Sequence, residues 1–308
     1  MQDCKVFDRP PSSIPAFVRA LFGKRKGGAI PHLRAELALQ RVDLGALARY
    51  RRQCGFVDGP HLPLTYPQVL AGALHLHLLT HPKFPLSSLG LVHMRNVIEQ
   101  TRAIDSTASL HLAAHLDGER QVPGGTEIDL VTEASVHGEV VWRSVITALA
   151  RTGKRPRGDK RPRGEKKPPG EKQAGGDQQP RPAPAELSLT APFRSLLIRV
   201  PEDQGRQYAA VAGDFNPIHL YATTAKLFGF PRAIVHGMWS LGRCLGELES
   251  DLAPGSCRVE VAFKRPVLLP STVVLRASRP AHAAGAVEFA LTSRDGATVH
   301  LVGTAHTS

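Results

Sequence analysis

The sequence repeats one pattern, in which a helical segment is followed by four strand-like segments, once in each half of the chain. In the C-terminal half, Met238 and four leucines recur at helical spacing within residues 236–252. Alternating apolar and polar residues predict four strands after that helix: Cys257–Arg265, Val273–Arg279, Val287–Arg294 and Thr298–Ala305. The N-terminal half follows the same order, with one predicted helix and four predicted strands: Pro67–Leu79, then Leu89–Ile98, Ala108–Leu116, Glu127–Ser135 and Val140–Leu149.

This repetition predicts an α+β fold in which one helix packs against a curved antiparallel sheet, twice over. The two sheets can then pair side by side. Gly242 and Gly246 in the second helix predict that a sheet approaches that helix closely.

A basic, proline-rich segment separates the two repeats. Residues 154–171 read KRPRGD, KRPRGE, KKPPGE, and the chain from 151 to 181 holds eleven Lys/Arg against four Asp/Glu. Much of the net charge of +12 therefore lies in one segment without apolar side chains to bury, which predicts an extended linker. An arm that binds nucleic acid is the alternative, but no aromatic residue is present there to stack on bases. The predicted organisation is an N-terminal extension, a first repeat, a linker and a second repeat: residues 1–30, 31–150, 151–186 and 187–308.

The cysteines and the hydropathy pattern exclude several classes of protein. The four cysteines (Cys4, Cys54, Cys244 and Cys257) show no CxxC spacing, which argues against a disulfide framework or a thiolate metal site. No apolar run approaches the roughly 18 residues of a membrane span. Arg19 interrupts the apolar stretch near the N-terminus, so a secretory signal is not predicted and a cytoplasmic protein without membrane contact is expected.

The segment YAAVAGDFNPIH, Tyr208–His219, contains a candidate acid–base pair. Asp214 and His219 are five residues apart and would not share a helix face. Pro217 disfavours helical geometry at the preceding asparagine, so the stretch is predicted to be a loop. A turn at Asn216–Pro217 would bring the carboxyl and the imidazole to one point, where such a pair can move protons near neutral pH.

A candidate oxyanion donor follows this pair. The segment AIVHGM, Ala233–Met238, begins the long C-terminal helix, so the Gly237 N–H is expected to be one of its unpaired donors. Such a donor suits a carbonyl oxygen that becomes negative during reaction. Together with Asp214 and His219 it supplies the groups needed to add water across a double bond conjugated to a thioester. The alternatives are a purely structural Asp–His hydrogen bond and a glycine that only starts a helix.

These residues resemble the hydratase 2 signature of the MaoC-like dehydratases, the (R)-specific enoyl-CoA hydratases. The strong similarity covers about thirty residues, Tyr208 to Met238, and a weaker one covers roughly 190–308. The segment Leu62–Pro67, LPLTYP, resembles the N-terminal half of bacterial members with two hotdog repeats. The resemblance implies a double hotdog fold, in agreement with the helix-and-sheet pattern.

The resemblance also implies an activity and its residues. Asp214 and His219 match the catalytic pair, Asn216 matches an asparagine that supports the loop and the water, and Gly237 matches the backbone amide that binds the thioester oxygen. The implied reaction is syn addition of water to a trans-2-enoyl thioester, giving a (3R)-3-hydroxyacyl thioester, or the reverse. The resemblance implies no metal or redox cofactor. Coenzyme A or acyl carrier protein enters as part of the substrate.

The first repeat is expected to be noncatalytic. Its matching segment, Val57–Pro67, contains Asp58 and His61 but lacks the GDxNPxH order. In double hotdog hydratases the degenerate repeat helps to form the space for the acyl chain. One chain would then equal a dimer of single hotdogs, and a homodimer of whole chains is possible.

Other polar residues have two interpretations each. Lys264 and Arg265 could meet a phosphate of coenzyme A or an acidic carrier protein, or they could be ordinary surface charges, and Arg206 is equally ambiguous. His77 and His81 lie one turn apart near His75, but a helix flank is favoured over a metal site because no carboxylates cluster nearby.

Two rival functions remain at this stage. The hotdog fold also hosts thioester hydrolysis, so a thioesterase is one alternative. The other is a noncatalytic acyl-binding protein whose basic arm binds nucleic acid. The acyl chain length, the choice between coenzyme A and carrier protein, the physiological direction and the pathway cannot be read from the sequence.

Overall fold

The computed structural model describes residues 3–12, 15–16, 19–20, 28–39, 41–151, 193–252, 255–278 and 285–307. The basic repeat at 154–171 and nearly all of the predicted linker therefore lie outside the described residues, as does part of the predicted N-terminal extension. Within the described residues, no helix is both long enough and apolar enough to cross a membrane.

The described residues form one sheet of eleven strands and a set of helices that pack on it. The strands are β1 Asp3–Phe7, β2 Leu33–Leu39, β3 Leu91–Gln100, β4 Leu110–Val122, β5 Gly125–Val136, β6 Glu139–Arg151, β7 Phe193–Val200, β8 Cys257–Phe263, β9 Ser271–Ser278, β10 Ala286–Ser293 and β11 Val299–Thr307. The α-helices are α1 Leu44–Cys54, α2 Tyr66–Leu70, α3 Gly72–Leu79, α4 Gln204–Ala212, α5 Ala222–Leu227 and α6 Gly237–Leu248.

The strand order shows the internal repeat. The order is β1-β2-β4-β5-β6-β3-β8-β11-β10-β9-β7. When β2 is counted as the first strand of the first half and β7 as that of the second, each half places its first strand beside its third and its second strand beside its fifth. The halves join where β3 and β8 pair antiparallel, from Arg95 opposite Ala262 to Gln100 opposite Cys257. β1 adds in parallel to the outer side of β2. This arrangement confirms the predicted α+β double hotdog.

Each half also contains a strand and a helix before the helix that was predicted. β2 and α1 precede the helical segment of the first half, and β7 and α4 precede α6 in the second half. The predicted helix Pro67–Leu79 is divided at Ala71 into α2 and α3. The eight strands predicted from alternation are all present, with bounds that differ by a few residues.

The prediction about Gly242 and Gly246 was wrong in the partner it named. Both glycines face the C-terminal end of α1 and not a sheet: a Cβ at Gly242 would lie 3.0 Å from Cys54 Sγ, and one at Gly246 would lie 2.4 Å from the Cys54 carbonyl oxygen. Trp239 Nε1 donates to the Gln53 carbonyl at 2.9 Å in the same contact. Because Gly242 and Gly246 have no side chains, α6 can pack directly on α1, a helix of the other repeat. The first residue of α6 is Gly237.

Candidate active site

The loop that carries the acid–base pair begins where α4 ends. Gly213 ends that helix with a φ of 72°, a conformation that suits glycine, and its N–H donates to the Ala209 carbonyl at 2.8 Å. Tyr208–Ala212 is therefore helical, and the prediction of a loop over the whole of Tyr208–His219 was wrong for this part. The spacing of Asp214 and His219 excludes α-helical structure only for the residues between them. In that part of the segment the chain is indeed not α-helical.

Asn216 shapes the turn that follows. Its backbone N–H donates to Asp214 Oδ1 at 3.2 Å, and its side-chain oxygen accepts from the Ile218 N–H at 3.4 Å. The second bond caps a single 3₁₀ turn, Pro217–His219, which starts with a proline where no donor is needed. The His219 side chain is thereby turned back towards the Asp214 side chain.

The hydrogen bond of His219 decides which ring nitrogen is free. Its Nδ1 lies 2.8 Å from the Ile234 carbonyl, and because a carbonyl only accepts, Nδ1 carries the hydrogen. Burial of the ring, and the neighbouring His236, lower the pKa of His219 to about 3. The imidazole is therefore neutral at pH 7, and its Nε2 holds a lone pair that can accept a proton.

His236 is part of the site, although the sequence analysis treated it only as the residue before Gly237. It is 3% exposed, and its ring stacks on that of His219 with centroids 3.7 Å apart and planes 28° apart. Its Nε2 donates to the backbone carbonyl of Asp214 at 2.9 Å. Its position next to the predicted oxyanion donor was the one signal in the sequence that pointed to it.

Asp214 completes the cluster at its solvent side. One polar atom each of Asp214, His219 and His236 lies within 4.8 Å of the others, and the Asp214 side chain remains 54% exposed. Partial removal from water opposes ionisation of this carboxyl, but His236, His219 and the Asn216 N–H outweigh that effect and lower its pKa. The predicted convergence of Asp214 and His219 is thus observed, with an ionised carboxylate beside a neutral imidazole.

The geometry of this cluster favours proton transfer over metal binding. Among the described residues it is the one group of three ligand-type side chains close enough to share an ion. However, the two imidazole planes are nearly parallel, so their in-plane lone pairs run side by side and do not converge on a tetrahedral centre. His219 and His236 each use one ring nitrogen as a donor to a backbone carbonyl.

The matching loop of the first repeat is built differently. The guanidinium of Arg51, 4% exposed, donates to the carbonyl oxygens of Val57, Gly59 and His61. Asp58 and His61 are themselves exposed. The first repeat therefore has a loop fixed by a buried arginine where the second has converging acid–base groups, which supports the prediction that it is noncatalytic.

The remaining predicted residues lie around the start of α6 and the end of β8. Gly237 is the first residue of α6, and a Cβ there would lie 3.2 Å from Phe263 Cε1, at the end of β8. Lys264 and Arg265 follow Phe263 directly and are exposed. The Arg206 guanidinium instead donates to the Leu220 carbonyl and lies over the ring of Tyr221.

Comparison with known proteins identifies the family. The family model described as MaoC like domain matches residues 176–301. Over 269 residues the chain is 31% identical to 3-hydroxyacyl-thioester dehydratase X of Mycobacterium tuberculosis, covering 86% of this chain and 88% of that protein. The chain is a MaoC-like dehydratase.

Solved structures agree with this assignment. The crystal structure of HtdX of Mycobacterium tuberculosis matches with a TM-score of 0.71 and 29% identity, over 89% of this chain and 100% of that one. A second protein of that bacterium, described as having a double hotdog fold, matches with a TM-score of 0.56 and 14% identity, over 94% and 97% of the two chains. At 14% identity, this second match supports the fold of the MaoC-like dehydratase and nothing further.

Acid should destabilise this MaoC-like dehydratase through His219. Below the ordinary histidine pKa of about 6.5, the unfolded chain binds a proton that the buried ring does not, so stability falls as pH drops towards the folded pKa of about 3. Between about pH 7 and pH 5 this histidine alone should cost about 2 kcal/mol of unfolding free energy. Urea unfolding at the two pH values measures the loss. The variant His219→Gln should lose that part of the pH dependence. The control His61→Gln, at an exposed histidine, should keep it. Equal pH dependence in the two variants would contradict the assignment of this loss of stability to His219.

Proposed function

We propose that the chain interconverts trans-2-enoyl and (3R)-3-hydroxyacyl thioesters by adding or removing water. The observation that supports this most directly is the pairing of an ionised carboxylate with a neutral imidazole, Asp214 and His219, at the partly open side of a buried cluster. The names of its relatives as dehydratases support the same class of reaction. We propose no metal or redox cofactor, since the reaction consists of proton transfer and C–O bond formation.

The proton transfers follow from the tautomer of His219. Its Nε2 lone pair takes one proton from the water, the water oxygen bonds to C3 of the enoyl group, and the π electrons move to the thioester as an enolate. The same proton then returns from Nε2 to C2 on the same face, which gives syn addition and restores the neutral ring. The Asp214 carboxylate accepts a hydrogen bond from the other O–H of the water, which stays on the oxygen as the C3 hydroxyl, and it stabilises the transient imidazolium.

The enolate oxygen needs a donor, and Gly237 supplies it in this proposal. Its N–H stands at the N-terminus of α6, a helix of twelve residues, where the backbone donors are not used within the helix. A donor aimed at a charge that develops only in the transition state typically contributes 100-fold or more to the rate, so about 100-fold is expected here. A larger residue at this position would meet the ring of Phe263, which accounts for the glycine.

Lys264 and Arg265 are proposed to bind the phosphates of coenzyme A or the acidic surface of acyl carrier protein. They follow Phe263 directly in the sequence, and the contact of the Phe263 ring with Gly237, the proposed oxyanion donor, supports this proposal. Their exposure leaves them accessible to a phosphate in solvent. Because exposed cations interact mainly by long-range attraction, their contribution should fall with rising salt.

A panel of trans-2-enoyl-CoA substrates from C4 to C16, with chiral analysis of the product, tests the proposed function. The expected result is loss of enoyl absorbance without release of free thiol, and a product of (3R) configuration. Release of free thiol would indicate the rival thioesterase, and a (3S) product would overturn the assignment of the reacting face. No turnover of any enoyl thioester, on coenzyme A or on carrier protein, would favour the noncatalytic acyl-binding alternative.

A further inference from the structure

His236 contacts both members of the acid–base pair, Asp214 and His219, yet the proposed reaction assigns it no chemistry. The centroid of its ring lies 3.7 Å from that of His219 and 5.0 Å from that of Tyr208 in α4. Its Nε2 donates to the Asp214 carbonyl at 2.9 Å and lies 3.8 Å from Asp214 Oδ2. A buried side chain with this set of contacts can fix the positions of the two reacting groups.

The backbone of His236 has a second role, because it precedes the proposed oxyanion donor. It is the N-cap of α6, with a φ of −64° and a ψ of 139°, and its carbonyl accepts from the Ser240 N–H at 3.1 Å. The side chain thus holds Asp214 while the main chain leads directly into Gly237. One residue connects the acid–base pair to the start of α6, through its ring on one side and its backbone carbonyl, which accepts a hydrogen bond of the first turn, on the other.

The ring hydrogen bond of His236 and its burial argue against proton exchange with substrate. Because Nε2 donates to a carbonyl, Nε2 carries the hydrogen and Nδ1 holds the lone pair. Nδ1 is fully buried and makes no hydrogen bond within the described part of the chain. A proton there would find no acceptor. The titratable groups that face the ring are Asp214, His219 and Tyr208. Burial lowers the pKa of His236 by more than Asp214 raises it, so the ring is neutral.

We propose that His236 is a positioning residue, which fixes the distance between the Asp214/His219 pair and the Gly237 amide through its Nε2–H bond to the Asp214 carbonyl. This inference rests on the proposed function. The hydrogen bond sets the position of the Asp214 backbone, and the stacked ring sets the plane of the His219 imidazole. Loss of the bond would let the Asp214 loop move relative to α6, and a displacement of about 1 Å typically costs about 100-fold in rate.

Two variants separate the hydrogen bond from the stacked ring. His236→Gln keeps a donor, because a glutamine Nε2 reaches about as far as the histidine Nε2, but it removes the aromatic ring. His236→Phe keeps a stacked ring and removes the donor. We expect kcat of the phenylalanine variant to fall about 100-fold with KM changed by less than about 3-fold, and kcat of the glutamine variant to stay within about 10-fold of the original chain.

The pH dependence of kcat provides a readout that a merely structural role would not move. The Nε2–H beside the Asp214 carboxyl favours its ionised form, so the acidic limb of the profile should shift to higher pH in His236→Phe and stay in place in His236→Gln. Thermal melting of both variants shows whether each is folded. Equal damage in both variants, or full activity of His236→Phe, would overturn the proposal.

Nitrogen NMR of the imidazole rings tests the same proposal without any turnover. In the original chain we expect the Nε2–H tautomer for His236 and the Nδ1–H tautomer for His219. In His236→Gln, loss of the neighbouring imidazole should shift the His219 titration to higher pH, and the Nδ1–H tautomer should persist. An unchanged titration would contradict the contact between the rings. If the original chain hydrated no thioester while the NMR results held, the proposed function would fail and the placement of His236 would stand.

Discussion

Replacing Asp214 by asparagine should lower kcat for enoyl thioester hydration by about 1000-fold while the protein stays folded. Asparagine has the same shape, and its side-chain oxygen can still accept from the Asn216 N–H. What it lacks is the negative charge that stabilises the His219 imidazolium formed when the water gives up its proton. Acid–base groups of this kind typically contribute 10²–10⁴-fold to a rate, and about 1000-fold is the middle of that range. The decrease in enoyl absorbance measures the rate, and thermal melting measures the fold.

The first repeat offers a matched control for this change. Asp58 is exposed and stands in the loop that corresponds to the Asp214 loop. Asp58→Asn removes the same charge from the same kind of residue, and should leave kcat within about 2-fold of the original value because the residue lies outside the site. Similar losses in both variants would indicate a general effect of charge. Full activity of Asp214→Asn would remove the carboxylate from the mechanism.

Much of the fold follows from periodicity, and the elements that were missed have identifiable reasons. In β2, Leu33, Ala35 and Leu37 are buried and alternate along the strand, but alanine, leucine and glutamate favour helix, so the alternation was not recognised. In β7 the adjacent leucines Leu196 and Leu197 are both partly exposed, because this strand lies at the edge of the sheet. Ile198 and Val200 are buried and alternate with exposed neighbours, but the two adjacent leucines before them hide this period of two in the sequence.

The helix α1 was missed although its pattern was present. Leu47, Tyr50 and Cys54 are buried and recur at helical spacing, and Asp43 caps the helix by accepting from the Ala46 N–H at 3.0 Å. Three arginines in the same segment make its average composition polar, which obscured the apolar face. The partner of Gly242 and Gly246 was missed as a consequence, since a helix that was not predicted could not be expected to contact them.

The candidate site divides in the same way into local and long-range parts. Asp214, Asn216 and His219 lie within six residues, so a sequence motif was sufficient to predict their convergence. His236 joins them through a bond to a backbone carbonyl 22 residues earlier in the chain. A backbone carbonyl has no side-chain identity, so nothing in the amino-acid sequence marks it as an acceptor, and only the folded chain shows the contact.

A second substitution should have a large effect although it touches no reacting atom. Gly205 lies near the start of α4, and a Cβ there would be 1.9 Å from the backbone carbonyl oxygen of His219 and 2.9 Å from its carbonyl carbon. Alanine normally favours a helix by up to about 1 kcal/mol over glycine. Here the added methyl group must displace the 3₁₀ turn that carries His219, because neither backbone can yield without breaking its own hydrogen bonds. We expect Gly205→Ala to lower the unfolding free energy by about 2–3 kcal/mol and kcat by about 100-fold.

Gly72→Ala is the matched control, because it makes the same change at the first residue of another helix. A Cβ at Gly72 would lie 3.5 Å from the Ala212 carbonyl oxygen, an ordinary contact, so this variant should be at least as stable as the original chain and equally active. Urea unfolding and kcat of the two variants measure both effects. The comparison distinguishes a specific displacement of His219 from a general intolerance of helix glycines. If Gly205→Ala lost stability but kept its full kcat, then His219 would tolerate displacement, and proton transfer from a closely positioned water could not be the step that limits the rate.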